Sequence, residues 1–434
     1  MESLVFAGLV VVSILLSLQA GHILYMMIYT WDQPEAERLA KGPEELVEPH
    51  LSFTAILPAR HEEAVIARTI DRVVHCNYPA TLLQVLVVCS ADDTGTIEQA
   101  SQKIDELRYD GIVNAAMVVF EDEPINKPHG LNCALREATG DVITIFDAED
   151  EMHPDIFAVV NTLMVTEEVN VVQSGVQLMN YESNWYSTFN VLEYFFWFKS
   201  RLHYHARHGS IPLGGNTVFF KRALLERIGG WDESNLTEDA EIGLRMSSLG
   251  ERIRVIYDDE YVTKEETPPT LQQFIKQRTR WNQGFMQTLS QGSWREMPTF
   301  HQRALAFYTL SFPYVQAFLG LYMPLAFLTI FIVHTPVPVA LLTFVPVLLL
   351  TAHFITAVVG LYEFTEAHGL KATPWTVVKM AFTWLPYQLV LAYASIRALR
   401  RHLAGRRDWE KTQHIGAHRT PIDDVVEKEV SSGA

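Results

Sequence analysis

Three groups of side chains, in fixed order along the chain, are equipped for chemistry. Asp147-Ala148-Glu149-Asp150 comes first, Thr237-Glu238-Asp239 second and Gln277-Arg278-Thr279-Arg280-Trp281 third. The first group directly follows an apolar run, Asp141–Phe146, that reads as a strand. Acids one residue apart in an extended turn can face one crevice. Carboxylate oxygens there suit a hard divalent cation such as Mg²⁺ or Mn²⁺, and such a cation neutralises a departing diphosphate. Asp147, Glu149 and Asp150 are the candidate ligands. A solvated acidic loop gives the same string, and the position at a strand end is what favours the metal.

The second group follows Gly229-Gly230-Trp231 and opens a probable helix, Ala240–Leu249. Thr237 can cap that helix, with Glu238 and Asp239 stabilising its positive end. The catalytic reading makes Asp239 a general base with Glu238 beside it, because a sugar hydroxyl loses its proton only as its new bond forms. The third group offers guanidinium groups for phosphate and an indole face for a sugar ring. Anchoring of a helix at a membrane surface uses the same residue types. Asn126-Lys127-Pro128-His129-Gly130-Leu131-Asn132 opens another helix. Lys127 there can reach a phosphate beside a helix N-terminus, or be a surface lysine. Asp92-Asp93-Thr94 either binds a nucleoside or caps the helix that follows it.

These groups need a scaffold. Residues 51–265 alternate short apolar strands with helices. Strands are expected at Ser52–Pro58, Gln84–Cys89, Ala116–Phe120 and Asp141–Phe146, and helices at about 62–75, 94–109 and 128–138. That alternation predicts an α/β domain with a helix-wound, mostly parallel sheet, whose ligands bind beyond the carboxyl ends of the strands. Arg60–Glu63, Asp92–Asp93 and Asp147–Asp150 should therefore converge.

Apolar residues make up 48% of the 434 and cluster at residues 4–30 and beyond residue 304. Leu4–Tyr29 reads as a retained transmembrane helix rather than a signal peptide. Glu2 stands where a positive charge would be, and Tyr25, Tyr29 and Trp31 mark an interfacial end. Residues 32–50 read as a linker. Residues 185–207 and 268–290 read as amphipathic helices at the membrane surface, with a core helix as the lesser alternative for the first. Residues 304–399 hold apolar blocks at 304–334, 337–361 and 377–397, with boundaries blurred by prolines 313, 324, 336, 338 and 346. Arg397, Arg400, Arg401, Arg406 and Arg407 open a basic tail over 400–434, expected in the cytoplasm. A cytoplasmic catalytic domain then requires an even number of crossings between 300 and 400. Either 304–361 folds into three short helices, or one block lies at the interface.

The net charge of −17 argues against nucleic acid as a partner. Cys76, Cys89 and Cys133 have the spacing of neither a zinc site nor a disulfide framework, and read as buried thiols.

Taken together, Arg60–Glu63, Asp92–Asp93, Lys127–Asn132, Asp147–Asp150, Gly214-Gly215-Asn216, Thr237–Asp239 and Gln277–Trp281 make the chain resemble the processive, membrane-embedded family-2 glycosyltransferases. Cellulose, hyaluronan and chitin-oligosaccharide synthases belong to that group. The resemblance covers almost the whole chain. It implies a GT-A fold with transmembrane helices, and inverting transfer from a nucleotide-sugar, a UDP-sugar above all, to a growing polysaccharide that moves into the membrane. Transfer of one sugar to a membrane lipid is the alternative. The resemblance places Arg60 and Glu62 near the nucleobase and Asp92 or Asp93 on the nucleoside. Asp147 falls on the nucleotide, Glu149 on the metal and Asp239 at the base position. Gln277, Arg280 and Trp281 hold diphosphate and acceptor, with Gly215 and Asn216 on the acceptor side. Glu149 stands where the family commonly has Asp, and reaches further. Trp409–His414 resembles a tail of some bacterial members. A bacterial inner-membrane location and an export partner protein follow as expectations.

Overall fold

The computed structural model describes residues 2–332, 336–406, 408 and 410. The chain opens with α1 (Glu2–Asp32) and continues into α2 (Pro34–Ala40), so part of the expected linker is helical. The catalytic unit then runs β1 (Phe53–Pro58), α3 (Ile66–Val74), β2 (Leu83–Ser90), α4 (Thr94–Tyr109), β3 (Ala115–Phe120), α5 (Lys127–Glu137) and β4 (Val142–Ile145). These fall within a few residues of the expected elements. Next come α6 (Ile156–Thr166), β5 (Val171–Gln173), β6 (Val176–Leu178), α7 (Ser187–Phe196) and, after a π-helical turn at Trp197–Arg201, α8 (Leu202–Arg207). The unit closes with β7 (Val218–Lys221), α9 (Arg222–Ile228), α10 (Glu238–Ser248), β8 (Ile253–Val255) and β9 (Thr263–Glu265). Four long helices follow: α11 (Leu271–Gln291), α12 (Phe300–Ile332), α13 (Val337–Ala367) and α14 (Pro374–Leu403).

The main sheet has the order β3-β2-β1-β4-β7-β5-β8. Its first four strands are parallel, and β7 runs antiparallel to both neighbours. β6 and β9 form a separate parallel pair. Helices cover both faces, which is why the central strands are continuously apolar. Alternate residues of β1 still divide between two cores. Phe53, Ala55 and Leu57 pack with Phe146 and Phe157 on one face. Ile56 joins Leu86, Ile143 and Ile145 on the other. This second core does not stop at the domain edge. It runs through Phe189, Phe195 and Phe196 of α7 into Leu361 and Phe364 of α13 and Tyr387 of α14.

Residues 185–207, expected as one-sided surface helices, are therefore buried on nearly all sides between the sheet and the long helices. The core-helix alternative holds there. The reason lies in what they pack against: α1, α13 and α14 cover the aromatic face that would otherwise meet lipid headgroups. Ion pairing stitches the same seam, since Glu363 of α13 pairs with Lys199 and accepts a 3.0 Å hydrogen bond from Trp31 Nε1 of α1.

Among the described residues, three helices are long and apolar enough to cross a membrane: Phe6–Asp32, Phe300–Tyr322 and Val337–Ala367, with mean hydropathies of 2.0, 1.3 and 2.2. Residues 304–361 do not form three short helices; their described part falls in α12 and α13. α14 does not reach that hydropathy, and Phe382 and Tyr393 on it are exposed. Trp409–His414 lies outside the described residues except for Glu410, which accepts a 2.7 Å hydrogen bond from Arg397.

Candidate active site

The loop after β4 places its acids by internal hydrogen bonding. Asp150 Oδ2 accepts from the Asp147 N–H at 2.8 Å, and the Asp150 N–H donates to the Asp147 carbonyl at 3.0 Å. This tight turn points Asp147 and Glu149 into a common cavity and Asp150 away from it. Asn216 Nδ2 lies 3.0 Å from both Asp150 oxygens and 2.6 Å from Glu265 Oε1. Asp150, expected among the metal ligands, braces the loop and does not line the cavity. Asn216, expected toward the acceptor, ties that brace to β9. Glu265 instead joins the cluster that could hold a metal: one carboxylate oxygen from each of Asp147, Glu149 and Glu265 lies within 4.8 Å of the others. Burial, and then the charges of Glu265, Asp147 and Glu149, raise the Asp150 carboxyl well above the ordinary range. An all-oxygen, mutually repelling donor set of this kind fits a hard divalent cation.

Lys127 begins α5, whose cap is the Asn126 side chain accepting from the His129 N–H at 2.9 Å. Its Nζ lies 2.6 Å from Asp147 Oδ1 and 3.1 Å from the Gly215 carbonyl. Burial opposes its charge, but Asp147, Glu238 and Asp239 outweigh burial and hold the ammonium charged. Gly215 leaves room for the Asp239 carboxylate. A Cβ there would lie 3.0 Å from Asp239 Oδ2.

α10 starts with Thr237 at the cap position, yet no side-chain cap bond forms. A helix-capping role for Thr237 is thereby set aside. The Thr237 side chain instead packs on α11, where a Cβ at Gly284 would come within 2.3 Å of its Oγ1. That close approach brings the second and third groups together. Glu238 is 4% exposed, and Asp239 accepts from the Ala240 N–H at 2.8 Å. Burial raises the Glu238 carboxyl to about 7, reinforced by Asp239 and opposed by Lys127 and Arg280. Burial also raises Asp239, against the Ala240 N–H, Lys127 and Arg280.

On α11, Gln277, Arg280 and Trp281 all face the cavity. The Gln277 Oε1 atom is buried without a hydrogen-bond partner. Arg278 plays a supporting part: its guanidinium lies 4.5 Å over the Trp281 ring and pairs with Glu193 of α7. Tyr194, with its ring 6.1 Å from that of Trp281, completes the aromatic wall.

Arg60 and Glu62 line the cavity, whereas Asp92 and Asp93 do not. Asp93 is buried and accepts from the Thr96 and His61 N–H groups, so it caps α4. Asp92 is exposed and pairs with Arg60 at 3.4 Å. The capping alternative holds for Asp93, because the turn after β2 directs its carboxylate to the first turn of α4.

The cavity measures about 800 Å³ and does not end at the acids. Beyond Trp281 its walls become Leu16 and Ile23 of α1, Leu319 of α12, Leu350 of α13, and Leu385 and Leu389 of α14.

Sequence similarity agrees with this architecture. The family described as glycosyltransferase-like family 2 matches residues 49–284, more than half of the chain and all of the acidic groups. The chain belongs to glycosyltransferase family 2. It is a glycosyltransferase, and relatives of the family-2 enzyme differ in what they make. A beta-monoglucosyldiacylglycerol synthase of Nostoc is 27% identical over 54% of this chain and 49% of its own length. A poly-beta-1,6-N-acetyl-D-glucosamine synthase of Staphylococcus epidermidis is 22% identical over 68% of each chain. Among solved structures, the mannosyltransferase PcManGT of Pyrobaculum calidifontis, in complex with GDP-Man and Mn²⁺, superimposes with a TM-score of 0.52 at 22% identity. The match covers 91% of this chain and 99% of that one, and shows the GT-A fold.

Proposed function

We propose that this family-2 enzyme is an inverting, UDP-sugar-dependent transferase of a bilayer, and that it glycosylates the headgroup hydroxyl of a membrane lipid. The observation that carries the reading is the unbroken cavity from Asp239 to the aliphatic walls between α1, α12, α13 and α14. Alkyl chains gain from such walls. A sugar chain loses hydrogen bonds to water there and finds few replacements, at a cost of about 1–3 kcal/mol for each unsatisfied group. The acceptor enters from the membrane side and the donor from the strand ends, with the catalytic unit in the cytoplasm.

In this mechanism Arg60 and Glu62 bound the nucleoside end of the donor. Lys127 and Arg280 hold the diphosphate. Asp147, Glu149 and Glu265 would hold Mg²⁺ or Mn²⁺, which supplies neutralisation of the leaving diphosphate. Asp239 takes the proton of the acceptor hydroxyl as that oxygen bonds to the anomeric carbon. The bond from that carbon to the nucleoside diphosphate breaks on the opposite face, which inverts the centre. Glu238 keeps negative potential beside Lys127 and Arg280. Gln277 and Trp281 position the acceptor headgroup.

Processive elongation of a polysaccharide, with export through a channel, is the second reading. It is favoured by the aromatic pair Trp281 and Tyr194 and by Gln19, Gln316 and Gln388 in the same wall. The test uses purified enzyme, labelled UDP-sugar, Mn²⁺ and vesicles containing diacylglycerol or ceramide. A single sugar on an organic-soluble lipid supports the first reading. A long water-soluble or insoluble polymer refutes it in favour of the second.

A further inference from the structure

α5 carries a second cluster of ligating side chains, on the side away from the acidic cavity. His129 and Cys133 are four residues apart and so share one helix face. Both are 5% exposed. Cys133 Sγ lies 3.6 Å from His129 Nε2, and Asp122, in the loop before α5, places Oδ1 3.4 Å from the same nitrogen. All three ligand atoms lie within 4.8 Å of one another. Bond lengths of about 2.3 Å to sulfur and about 2.0–2.1 Å to nitrogen set S and N about 3.5 Å apart around a tetrahedral Zn²⁺. The 3.6 Å from Cys133 Sγ to His129 Nε2 matches that spacing.

The surroundings fit as well. The other ring nitrogen, Nδ1, is fully buried and makes no hydrogen bond of good geometry, with Glu233 Oε2 3.0 Å away as its ion-pair neighbour. Glu233 is itself held by Asn132 Nδ2 at 2.8 Å. A carboxylate beside that nitrogen favours a proton on Nδ1 and leaves the Nε2 lone pair toward the ligand, and carboxylates commonly stand behind metal-bound imidazoles. Arg136 Nη2 donates to Cys133 Sγ at 3.1 Å, a contact that a metal-bound thiolate keeps through its remaining lone pairs. The other cysteines, Cys76 and Cys89, are also free and buried, but among the described residues they belong to no such cluster.

We propose that Asp122, His129 and Cys133 form a metal site for Zn²⁺ or a similarly borderline-soft divalent ion, with water as the fourth ligand. Thiolate and imidazole select such ions over Mg²⁺ and Mn²⁺, which the all-oxygen set of Asp147, Glu149 and Glu265 suits. On binding, the Cys133 S–H bond breaks, its proton leaves to solvent and the sulfur electron pair forms the bond to metal. Thiolate and carboxylate together balance the two positive charges. The site ties the β3–α5 loop to α5 two residues after Lys127. Through Glu233 it also steadies the segment leading to Glu238, so its role is to position the catalytic groups.

The test uses full-length, chelator-stripped protein with Mg²⁺ in excess to occupy the oxygen site. Co²⁺ is then titrated, and the thiolate-to-cobalt charge-transfer band is read in the near ultraviolet. The band should saturate at about one equivalent per chain, as a single site requires. Cys133→Ser should abolish it, while the double variant Cys76→Ser/Cys89→Ser and the variant Asp147→Asn should retain it. Glu233→Gln should weaken Co²⁺ affinity by about 10–100-fold. Absence of the band in folded wild-type protein, or its survival in Cys133→Ser, overturns the proposal. Neither readout depends on the identity of sugar or acceptor.

Discussion

Gly215→Ala isolates the base position without changing any charge. The new Cβ would meet Asp239 Oδ2 at 3.0 Å, whereas ordinary contact begins at 3.4 Å. The carboxylate must therefore retreat by about 0.4 Å. It cannot swing freely, because Asp239 Oδ1 is held by the Ala240 N–H at 2.8 Å. Lys127 Nζ, at 3.7 Å from the same Cβ, stays in ordinary contact. Backbone strain does not enter, since φ at Gly215 lies outside the left-handed region. A displacement of about 1 Å at a reacting centre costs about 10²-fold in rate, so about 0.4 Å should cost about 5–10-fold in kcat. Steady-state release of nucleoside diphosphate, with donor and acceptor varied in turn, measures the effect. The donor KM should hold within about twofold, since the donor-holding cation is untouched. Gly95→Ala is the control, as its Cβ would meet Glu63 only at 4.0 Å. An unchanged kcat in Gly215→Ala, at wild-type thermal stability, would refute the placement of Asp239 at the reacting hydroxyl. An equal loss of donor affinity and kcat would assign Asp239 to the donor instead.

Further outcomes follow from the same geometry. Asp239→Asn should keep donor binding and lose about 10²–10⁴-fold in kcat, the scale of general acid–base catalysis, measured by turnover beside nucleotide titration. Asp239 and Glu238 are raised by burial, so the folded state holds their protons more tightly than the unfolded state. Stability should then fall as pH rises from the ordinary values of 3.8 and 4.5 toward about 7, and Asp239→Asn should melt higher than wild type at neutral pH. Activity should rise as pH climbs above the ordinary Asp value of 3.8, because the base must be ionised and burial raises Asp239; a flat kcat profile there would exclude Asp239 as base. Glu265→Gln should raise the Mg²⁺ or Mn²⁺ concentration needed for half-maximal activity, read by titration after chelation, and an unchanged requirement would remove Glu265 from the ligand set. Gly140→Ala would bring a Cβ within 2.5 Å of the Phe53 and Thr54 backbone. It should destabilise the fold by about 1–3 kcal/mol or more in denaturant titration, through overpacking beneath the sheet.

Much of this protein is settled locally. Strands β1 to β4 and helices α3 to α5 lie where apolar periodicity and caps place them, since each depends on near neighbours in the chain. Lys127, Asp147, Glu149, Glu238, Asp239, Gln277, Arg280 and Trp281 are legible because strand ends and helix starts fix which side chains meet a crevice. Other assignments depend on partners distant in sequence. Glu265 carried only a faint signal, an acidic pair Glu265-Glu266 before a proline turn; nothing local states that pairing of β9 with β6 delivers it to Asp147. Asp150 differs from Glu149 only by the turn whose N–H it accepts and by Asn216, which arrives from the far side of β4. Asp93 and the 185–207 segment read two ways until burial decided between them. Composition marks apolar and aromatic stretches but not what will cover them, and cover comes from long-range packing. The sequence by itself therefore determined the family's chemistry and its motif-bearing loops. Only the tertiary structure decided which third carboxylate joins Asp147 and Glu149, and that the acidic site opens into an aliphatic space between four helices, because both depend on contacts between segments more than a hundred residues apart.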